Sequence, residues 1–279
     1  MVPTTIPAQG EACWPLRNAD DLNVIRHRVK KTRSGRSLRR RQAFTPQRLR
    51  FALQGEDMVR VTTLSELTID GKLALGPGAS SKDLFGFYGD ELRAWFHAER
   101  AAHDAIMVGA GTVRADDPEL TVRHAPGRNP LRVAPCSMGD LPAAARILND
   151  GLPTLVAVSR AAPDKAVAAL AARPGVEVVR CGEGRVDLRE LMDRLAERGV
   201  ESLVVEGGSR LLHGLHELGL VGRIVIKHIP VIAGAPEAPA YLAPGAGAAP
   251  LSLARWRLID WFVKGGVGVS VYEPAEAAA

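Results

Sequence analysis

The sequence has few cysteines, few aromatic residues and no long apolar run. Its three cysteines, Cys13, Cys136 and Cys181, are odd in number and far apart, so the sequence predicts neither a disulfide framework nor a metal site. No segment approaches the roughly 18 consecutive apolar residues of a membrane span, and the N-terminus lacks the apolar core of a secretory signal. These absences predict a cytoplasmic protein that does not associate with membranes.

Acidic residues are missing from one region, between Arg26 and Arg50, which contains eleven Lys or Arg residues. Residues 58–279 are close to neutral, with 24 basic against 26 acidic side chains. We therefore expect a basic N-terminal extension over residues 1–57, whose composition is consistent with disorder, and a folded domain over 58–279. Such a run can bind nucleic-acid phosphates, but it is more often a solvated arm, so nucleic acid is not the expected partner.

From Val59 onward, strand and helix patterns alternate along the chain. Short β-branched segments predict strands over residues 58–64, 103–111, 130–135, 153–159, 176–179, 202–208 and 223–232. Helical periodicity predicts helices over 90–103, 162–175 and 187–199. This alternation predicts an α/β domain with a largely parallel central sheet flanked by helices. The tail, 256–274, predicts two antiparallel edge strands joined at Gly265 and Gly266.

In two segments a glycine-rich loop comes directly after the apolar residues of a predicted strand: "AIMVGAGTVRADDP" and "LVVEGGSRLL". Ligands of open α/β sheets bind beyond the carboxyl ends of the strands, where glycine lets a phosphate approach the backbone. The amides of a helix start favour an anion there. In the first segment Arg114 stands where the third glycine of a dinucleotide fingerprint belongs, so a tight turn without a ligand explains that segment equally well.

One motif imitates a zinc deaminase. His97, Glu99 and Cys136 stand in order as in the signature HxE…PCxxC, but the second cysteine of that signature falls at Gly139. Two protein ligands are too few to hold zinc, so this alternative is disfavoured.

Four segments resemble, in order, a known family: "LTIDGKLAL" (67–75), "HDAIMVGAGTVRADDPELTVR" (103–123), "NPLRV" (129–133) and "VEGGSRLLHGL" (205–215). Together they resemble the reductase domain of riboflavin biosynthesis, the C-terminal half of RibD-type bifunctional deaminase/reductases and their stand-alone relatives. The resemblance covers residues 58 to about 272. It implies a dihydrofolate-reductase-like fold, NADPH as hydride donor and commonly a homodimer. The implied reaction reduces the ribosyl group of a phosphoribosylamino-pyrimidine to ribityl.

The resemblance also implies residues that bind the substrate. Family contacts match Ser80, Arg100, Leu120 and Arg123 here, and arginine forks suit a 5′-phosphate because they bond bidentately. Seen without the family motif, either arginine is better explained as a surface ion pair or a solvated side chain.

Lys72 and Glu206 are the expected catalytic residues. Lys72 matches a substrate-positioning residue, with Asp70 as its structural companion, although the same stretch alone would be an ordinary turn. Glu206 is expected at the pyrimidine, where a carboxylate accepts hydrogen bonds from amino and ring N–H groups. The alternative for Glu206 is an acid that complements a helix dipole, worth ~0.5 kcal/mol.

Cofactor contacts are implied at two groups of positions. The first group includes the diphosphate loop, and its members are Leu67, Gly111, Thr112, Asp116, Gly207, Gly208, Ser209, Arg210 and Leu211. Ser159 and Arg160 are expected at the 2′-phosphate of NADPH, because a hydroxyl and a guanidinium suit that group. Thr112 also fits an N-cap, and Asp116 or Asp117 a turn residue.

Two other functions stay open on the sequence. A reductase of the same fold and cofactor acting on another heterocycle, imine or pterin is one, because fold does not fix the substrate. Segment 76–92 has no close match in the bifunctional enzymes, and Lys82 stands where some relatives have an aromatic residue. The other is a nucleic-acid-binding protein with a vestigial reductase fold, against which the intact glycine loops argue.

Overall fold

A nine-stranded sheet forms the centre of the molecule in the computed structural model, which describes residues 58–245, 251 and 253–275. The basic extension predicted for residues 1–57 lies outside these residues. The strands are β1 (Arg60–Thr68), β2 (Ala105–Met107), β3 (Leu131–Pro135), β4 (Thr154–Val158), β5 (Val176–Arg180), β6 (Ser202–Val205), β7 (Val221–Ile229), β8 (Trp256–Lys264) and β9 (Val267–Pro274). Their order across the sheet is β5-β4-β3-β2-β6-β1-β7-β9-β8.

The first seven strands are parallel, and the last two form an antiparallel edge. β9 pairs antiparallel with both β7 and β8. The turn between β8 and β9 contains Gly265 and Gly266 at φ 55° and 82°, a region that glycine enters without steric cost. The predicted α/β class, the parallel sheet and the antiparallel edge are therefore confirmed.

Within the described ranges, five α-helices cover the sheet. They are α1 (Asp90–Ala101), α2 (Ala110–Asp116), α3 (Asp164–Ala171), α4 (Leu188–Ala196) and α5 (Ser209–Glu217), with 3₁₀ turns at Ser81–Phe87 and Arg146–Leu148. The short helix α2 replaces the plain turn expected there, since seven residues are too few to show a clear helical period. No helix among the residues described is long and apolar enough to cross a membrane.

Helix α4 shows how the sequence specifies these elements. The Asp187 carboxylate caps its start by accepting from the backbone N–H groups of Arg189 and Glu190. Leu191 and Leu195, one helical turn apart, are buried against the sheet. The chain then leaves the helix through Gly199 at φ 75°, a left-handed conformation that favours glycine after a helix.

The sheet separates two apolar cores. Successive residues of β2 point to opposite faces, so Ile106 packs in one core with Leu64 and Phe96, while Met107 packs in the other with Leu191. Strands buried on both faces read as continuous apolar runs, as the sequence of β6 does. Because the strands are parallel, their carboxyl ends meet along one edge of the sheet.

Candidate active site

A cleft of about 1000 Å³ runs along the carboxyl edge of the sheet. Its walls come from the ends of β1, β2, β3 and β6 and from the loop that follows β5. Most of the predicted site residues line it: Arg100, Gly111, Thr112, Asp116, Leu120, Glu206, Gly207, Gly208, Ser209, Arg210 and Leu211. Segments far apart in the sequence therefore converge on one crevice, in the position where open α/β sheets bind ligands.

The two glycine-rich loops meet in the middle of the cleft. The Gly109 N–H donates to the Gly207 carbonyl at 3.2 Å, and the Gly208 N–H donates to Thr112 Oγ1, also at 3.2 Å. The alternative reading of Thr112 as an N-cap is wrong, because α2 begins earlier and Gly109 is its N-cap. The Thr112 hydroxyl instead joins one loop to the other.

The second loop has the form that a diphosphate requires. Gly207 and Gly208 lie at φ 106° and 25°, where a side chain would be strained. No side chain caps α5, and its first N–H to C=O hydrogen bond runs from Leu212 to Gly208, which leaves the amides of residues 209–211 without helical partners. A Cβ added at Gly207 or Gly111 would meet no atom within 4 Å, so the space beside them belongs to the cleft. This loop fits an anionic group.

At the inner end of the cleft, Arg100 and Glu206 form a buried ion pair. Arg100 Nε donates to Glu206 Oε1 and Nη2 to Oε2, each at 2.7 Å, while Nη1 donates to the Thr121 carbonyl at 2.9 Å. Their side chains are only 8% and 9% exposed, so the pair is not the surface contact weighed for Arg100. Burial alone would lower the pKa of Arg100, but the Glu206 carboxylate outweighs burial and raises it.

A second buried ion pair, between Glu66 and Lys227, was not predicted. Lys227 Nζ lies 2.5 Å from Glu66 Oε1 and is fully buried. The Tyr88 hydroxyl donates to the same oxygen at 3.3 Å, and burial followed by the charge of Glu66 raises the pKa of Tyr88. The signal in the sequence is an acid inside the apolar pattern of β1 and a lysine inside that of β7. A buried charge of this kind needs a partner.

A smaller cavity of about 310 Å³ adjoins this end. It is lined by Phe85, Tyr88, Arg93, Phe96, His97, Arg100, Arg123 and His124. His97 is buried, and burial together with the charge of Arg100 lowers its pKa to about 3. Its Nδ1 accepts from the backbone N–H of Arg123 at 3.0 Å, as a neutral imidazole can. The cationic groups of this cavity are its arginines, and each of them also meets a carboxylate: Arg93 meets Asp90, Arg100 meets Glu206, and Arg123 forms an exposed ion pair with Glu119.

The predicted phosphate contacts lie on different surfaces. Arg100 borders both cavities, whereas Arg123 lines only the smaller one. Ser80 lines neither, since its hydroxyl accepts from the Lys82 N–H as the N-cap of a 3₁₀ turn. Its neighbour Ser81 lines the main cleft.

Asp116 and Leu120 line the main cleft. Both Asp116 oxygens accept from Ser81, from its N–H at 3.1 Å and its hydroxyl at 2.8 Å, so the carboxylate fastens the 3₁₀ turn. Asp117, weighed as a turn residue, ends α2 in the left-handed region at φ 40°. Leu120 is buried in the cleft wall at φ 54°. Strained residues of this kind cluster at binding sites.

Lys72 lies beside the cleft rather than in its wall. Its Nζ donates to the carbonyls of Pro236 and Ala238 at 2.9 and 3.3 Å, while the following Leu73 lines the cleft. Leu67 is buried in β1 and does not reach the wall.

Asp70 has the structural surroundings expected of a companion to Lys72. It accepts from the Thr68 hydroxyl at 2.6 Å and from the N–H groups of Ala233 and Gly234. The Thr68 and Ala233 hydrogen bonds lower its pKa to about 2. The turn itself passes through Gly71 at φ 74°, where glycine is favoured.

At the outer end, the structure does not bring the predicted 2′-phosphate residues to the cleft. Ser159 is fully buried and its hydroxyl donates to the Ser137 carbonyl at 2.8 Å. Arg160 donates through both terminal nitrogens to Glu190. Ser137 and Arg185 line the cleft instead. Both follow strand ends, on the loops after β3 and β5, which was the signal available in the sequence.

The deaminase-like residues do not assemble into a metal site. Within the described part of the chain, no group of three or more His, Cys, Asp or Glu side chains is placed to hold a metal ion. Cys136 Sγ donates to Asp140 at 3.1 Å, and burial raises the pKa of its thiol to about 11.

Residues 59–265 match the family model described as the RibD C-terminal domain. A protein of Aquifex aeolicus named 2,5-diamino-6-ribosylamino-4(3H)-pyrimidinone 5′-phosphate reductase is 39% identical over 215 residues, which are 76% of this chain and 95% of that protein. A protein of the same name from Methanothermobacter thermautotrophicus is 43% identical over 175 residues, 62% of this chain and 78% of that one.

Solved structures show the same fold. A pyrimidine reductase-like protein from Corynebacterium diphtheriae superposes with a TM-score of 0.66 at 20% identity, over 78% of this chain and 93% of that chain. A deaminase/reductase from Thermotoga maritima gives a TM-score of 0.60 at 23% identity, over 78% of this chain and 57% of that chain. This chain thus spans a little over half of that longer protein.

Proposed function

The chain belongs to the RibD C-terminal domain family, and we propose that it reduces a phosphoribosylamino-pyrimidine to its ribitylamino form in riboflavin biosynthesis, with NADPH as hydride donor. One observation carries this proposal. A single cleft joins a side-chain-free anion loop, at Gly207 and Gly208, to an inner end of buried charges that suits a polar heterocycle.

The anion loop fits the cofactor. The amides of residues 209–211 and the open space beside Gly207 would hold the diphosphate, and the Thr112 hydroxyl keeps the two loops together. When bound, the reduced nicotinamide supplies a hydride to the sugar carbon that bears the amine, once ring opening has made it electrophilic. The buried walls at Leu64 and Leu120 exclude water from that end.

The inner end of the cleft binds the pyrimidine of the substrate, and the smaller cavity binds its 5′-phosphate. Arg93 and Arg123 are the guanidinium groups of the smaller cavity that would bind a 5′-phosphate, with Arg123 exchanging its exposed partner Glu119 for the ligand. Arg100 holds Glu206 as an oriented acceptor for the donor groups of the pyrimidine. Lys72 stays a predicted positioning residue. Its ammonium fastens segment 236–238, whose neighbour Pro239 lines the cleft.

An exposed apolar strip supports a homodimer. On the edge strand β8, Leu258, Trp261 and Val263 are 51%, 54% and 64% exposed. An uncovered apolar edge strand is a template for pairing with another chain, so a second copy is the partner we propose. Location in the cytoplasm stays a prediction from the sequence.

The test is a direct assay with the full chain. NADPH is mixed with the 2,5-diamino-pyrimidinone ribosylamino 5′-phosphate or with its deaminated uracil counterpart, and loss of NADPH absorbance is followed. We expect oxidation that depends on the pyrimidine, with the ribityl product identified by mass. The control is Glu201→Gln, which changes a carboxylate that is 67% exposed and lies outside the cleft, and this variant should behave as the wild type. Absence of oxidation with both pyrimidines would refute the proposal.

A further inference from the structure

The Glu66 carboxylate has one oxygen that receives no hydrogen bond from the part of the chain that the structure describes. Oε1 receives both Lys227 Nζ and the Tyr88 hydroxyl, whereas Oε2 is buried and has no hydrogen-bond partner among the described residues. Glu66 lines the main cleft. Leaving a buried acceptor of this kind unsatisfied is costly, so the position is suited to a donor that a ligand brings.

Glu66 lies at the substrate side of the cleft. β1 pairs with β6 so that Thr63 stands opposite Val205, which places Glu66 beyond Glu206 along the same edge. The outer loops after β3 and β5 lie on the other side of β2 and β6. A dinucleotide with its diphosphate on the central glycine loop extends its two nucleosides in opposite directions. With its adenosine at the outer loops, its nicotinamide lies towards β1, and so does the pyrimidine substrate.

The inner end of the cleft suits a ligand that brings an uncharged hydrogen-bond donor rather than another charge. Lys227 already neutralises Glu66, and both oxygens of Glu206 accept from Arg100. Lys227 Nζ and the Arg100 guanidinium carbon lie 3.8 and 4.4 Å from the centre of the Phe96 ring, so both cations are held in place. Glu66 Oε2 is the carboxylate oxygen at this end that receives no hydrogen bond from the described residues.

We propose that Glu66 Oε2 accepts a hydrogen bond from the 2-amino group of the pyrimidinone and thereby selects the aminated substrate over the deaminated one. This inference rests on the proposed function, because it names the substrate of that same site. The two substrates differ at that position, where one presents an N–H donor and the other a carbonyl oxygen. A carboxylate, which only accepts, pairs with the first and repels the second. Sites built to bond an N–H group discriminate strongly against analogues that lack it.

The experiment compares kcat/KM for the two pyrimidines in the full chain and in Glu66→Gln. Glutamine keeps the shape of the side chain, but its amide can donate to a carbonyl. We expect the ratio of kcat/KM for the aminated over the deaminated substrate to fall at least tenfold. Because Glu66→Gln leaves Lys227 without a counter-charge, the double variant Glu66→Gln/Lys227→Met is measured too, with the same expected fall in the ratio.

Glu99→Gln is the matched control. Glu99 pairs with Arg223 at 3.6 Å, both side chains are mostly buried, and neither lines the cleft, so its substrate ratio should equal that of the wild type. Equal losses on both substrates in Glu66→Gln would overturn the inference, since Glu66 would then contact a shared group or support the fold. If neither substrate is turned over, the proposed function fails instead. Calorimetric binding then decides on Glu66: equal affinity of the wild type for both pyrimidines overturns its role.

Discussion

Each end of the cleft contains an ion pair between an arginine and a carboxylate, but the inner pair is buried and the outer pair is exposed. At the inner end, the Arg100 and Glu206 side chains are 8% and 9% exposed. At the outer end, Arg114 and Asp140 are 2.8 Å apart but 42% and 65% exposed. An exposed pair contributes about 0–1 kcal/mol, whereas removing one partner of a buried pair costs about 3–5 kcal/mol. The distance between the charges therefore does not by itself decide how much an ion pair contributes to stability.

The difference fits what each end has to do. The inner end is fixed in advance, because Arg100 donates through three nitrogens and the Phe96 ring lies against two cations. Fixed dipoles and charges are what a reacting group needs around it. At the outer end, Glu183, Gly184 and Arg185 are exposed on a loop, where side chains can adapt to a ligand. Chemistry is thus expected at the rigid end and cofactor selection at the adaptable end.

Removing the inner guanidinium should have the largest effect. Arg100→Met leaves the Glu206 carboxylate buried without a partner, so we expect the free energy of unfolding to fall by about 3–5 kcal/mol. Arg114→Met at the outer end should change it by less than about 1 kcal/mol. Urea denaturation of both variants measures the contrast.

The double variant Arg100→Met/Glu206→Met sharpens this contrast. It removes both charges, so most of the stability lost in Arg100→Met should return, although activity should not. Equal destabilisation by Arg100→Met and Arg114→Met would show that burial does not separate the two ends.

The sequence predicted the elements of the fold because they depend on local patterns. The β-branched segments became the seven parallel strands, and the glycine pair Gly265 and Gly266 became the turn between the edge strands. The glycine loops were also predictable, since a loop after a strand is placed by the strand itself. These predictions needed only neighbours in the sequence.

The ion pairs were not predictable, because they depend on contacts between distant segments. Arg100 and Glu206 are 106 positions apart, and both were predicted as ligand contacts rather than as partners of each other. Lys227 and Glu66 are 161 positions apart. Ser159 was expected in the cleft because it follows a strand, but its hydroxyl turns inward to the Ser137 carbonyl. Which way a side chain turns is decided by tertiary packing.

Lowering the pH should have a smaller effect on the free energy of unfolding, through His97 at the inner end. His97 has its pKa lowered to about 3 from an ordinary value of 6.5, first by burial and then by Arg100. Below pH 6.5 the unfolded chain takes up a proton there that the folded chain does not, so the folded state loses stability as pH falls towards 3. At pH 5 this amounts to about 2 kcal/mol.

His97→Gln should remove this contribution. We expect the wild type to lose about 2 kcal/mol more than the variant between pH 7 and pH 5, measured by denaturant unfolding at each pH. The variant is its own control for the other histidines, which are unchanged in it. If both proteins lose stability in parallel, His97 is not held neutral by the inner end.

Substitutions at the outer end should have the smallest effect on stability. They test instead which arginine binds the 2′-phosphate of NADPH. Arg185 lines the cleft, whereas Arg160, predicted from the sequence, is engaged by Glu190 outside it. Arg185→Ala should therefore weaken NADPH about tenfold more than NADH, which is about 1.4 kcal/mol, and change the free energy of unfolding by less than about 0.5 kcal/mol. Arg160→Ala is the matched variant, and fluorescence titration with both cofactors gives the dissociation constants. If only Arg160→Ala loses affinity for NADPH selectively, Arg160 must leave Glu190 to bind the phosphate. The rearrangement at the outer end would then extend beyond the exposed loop that contains Arg185.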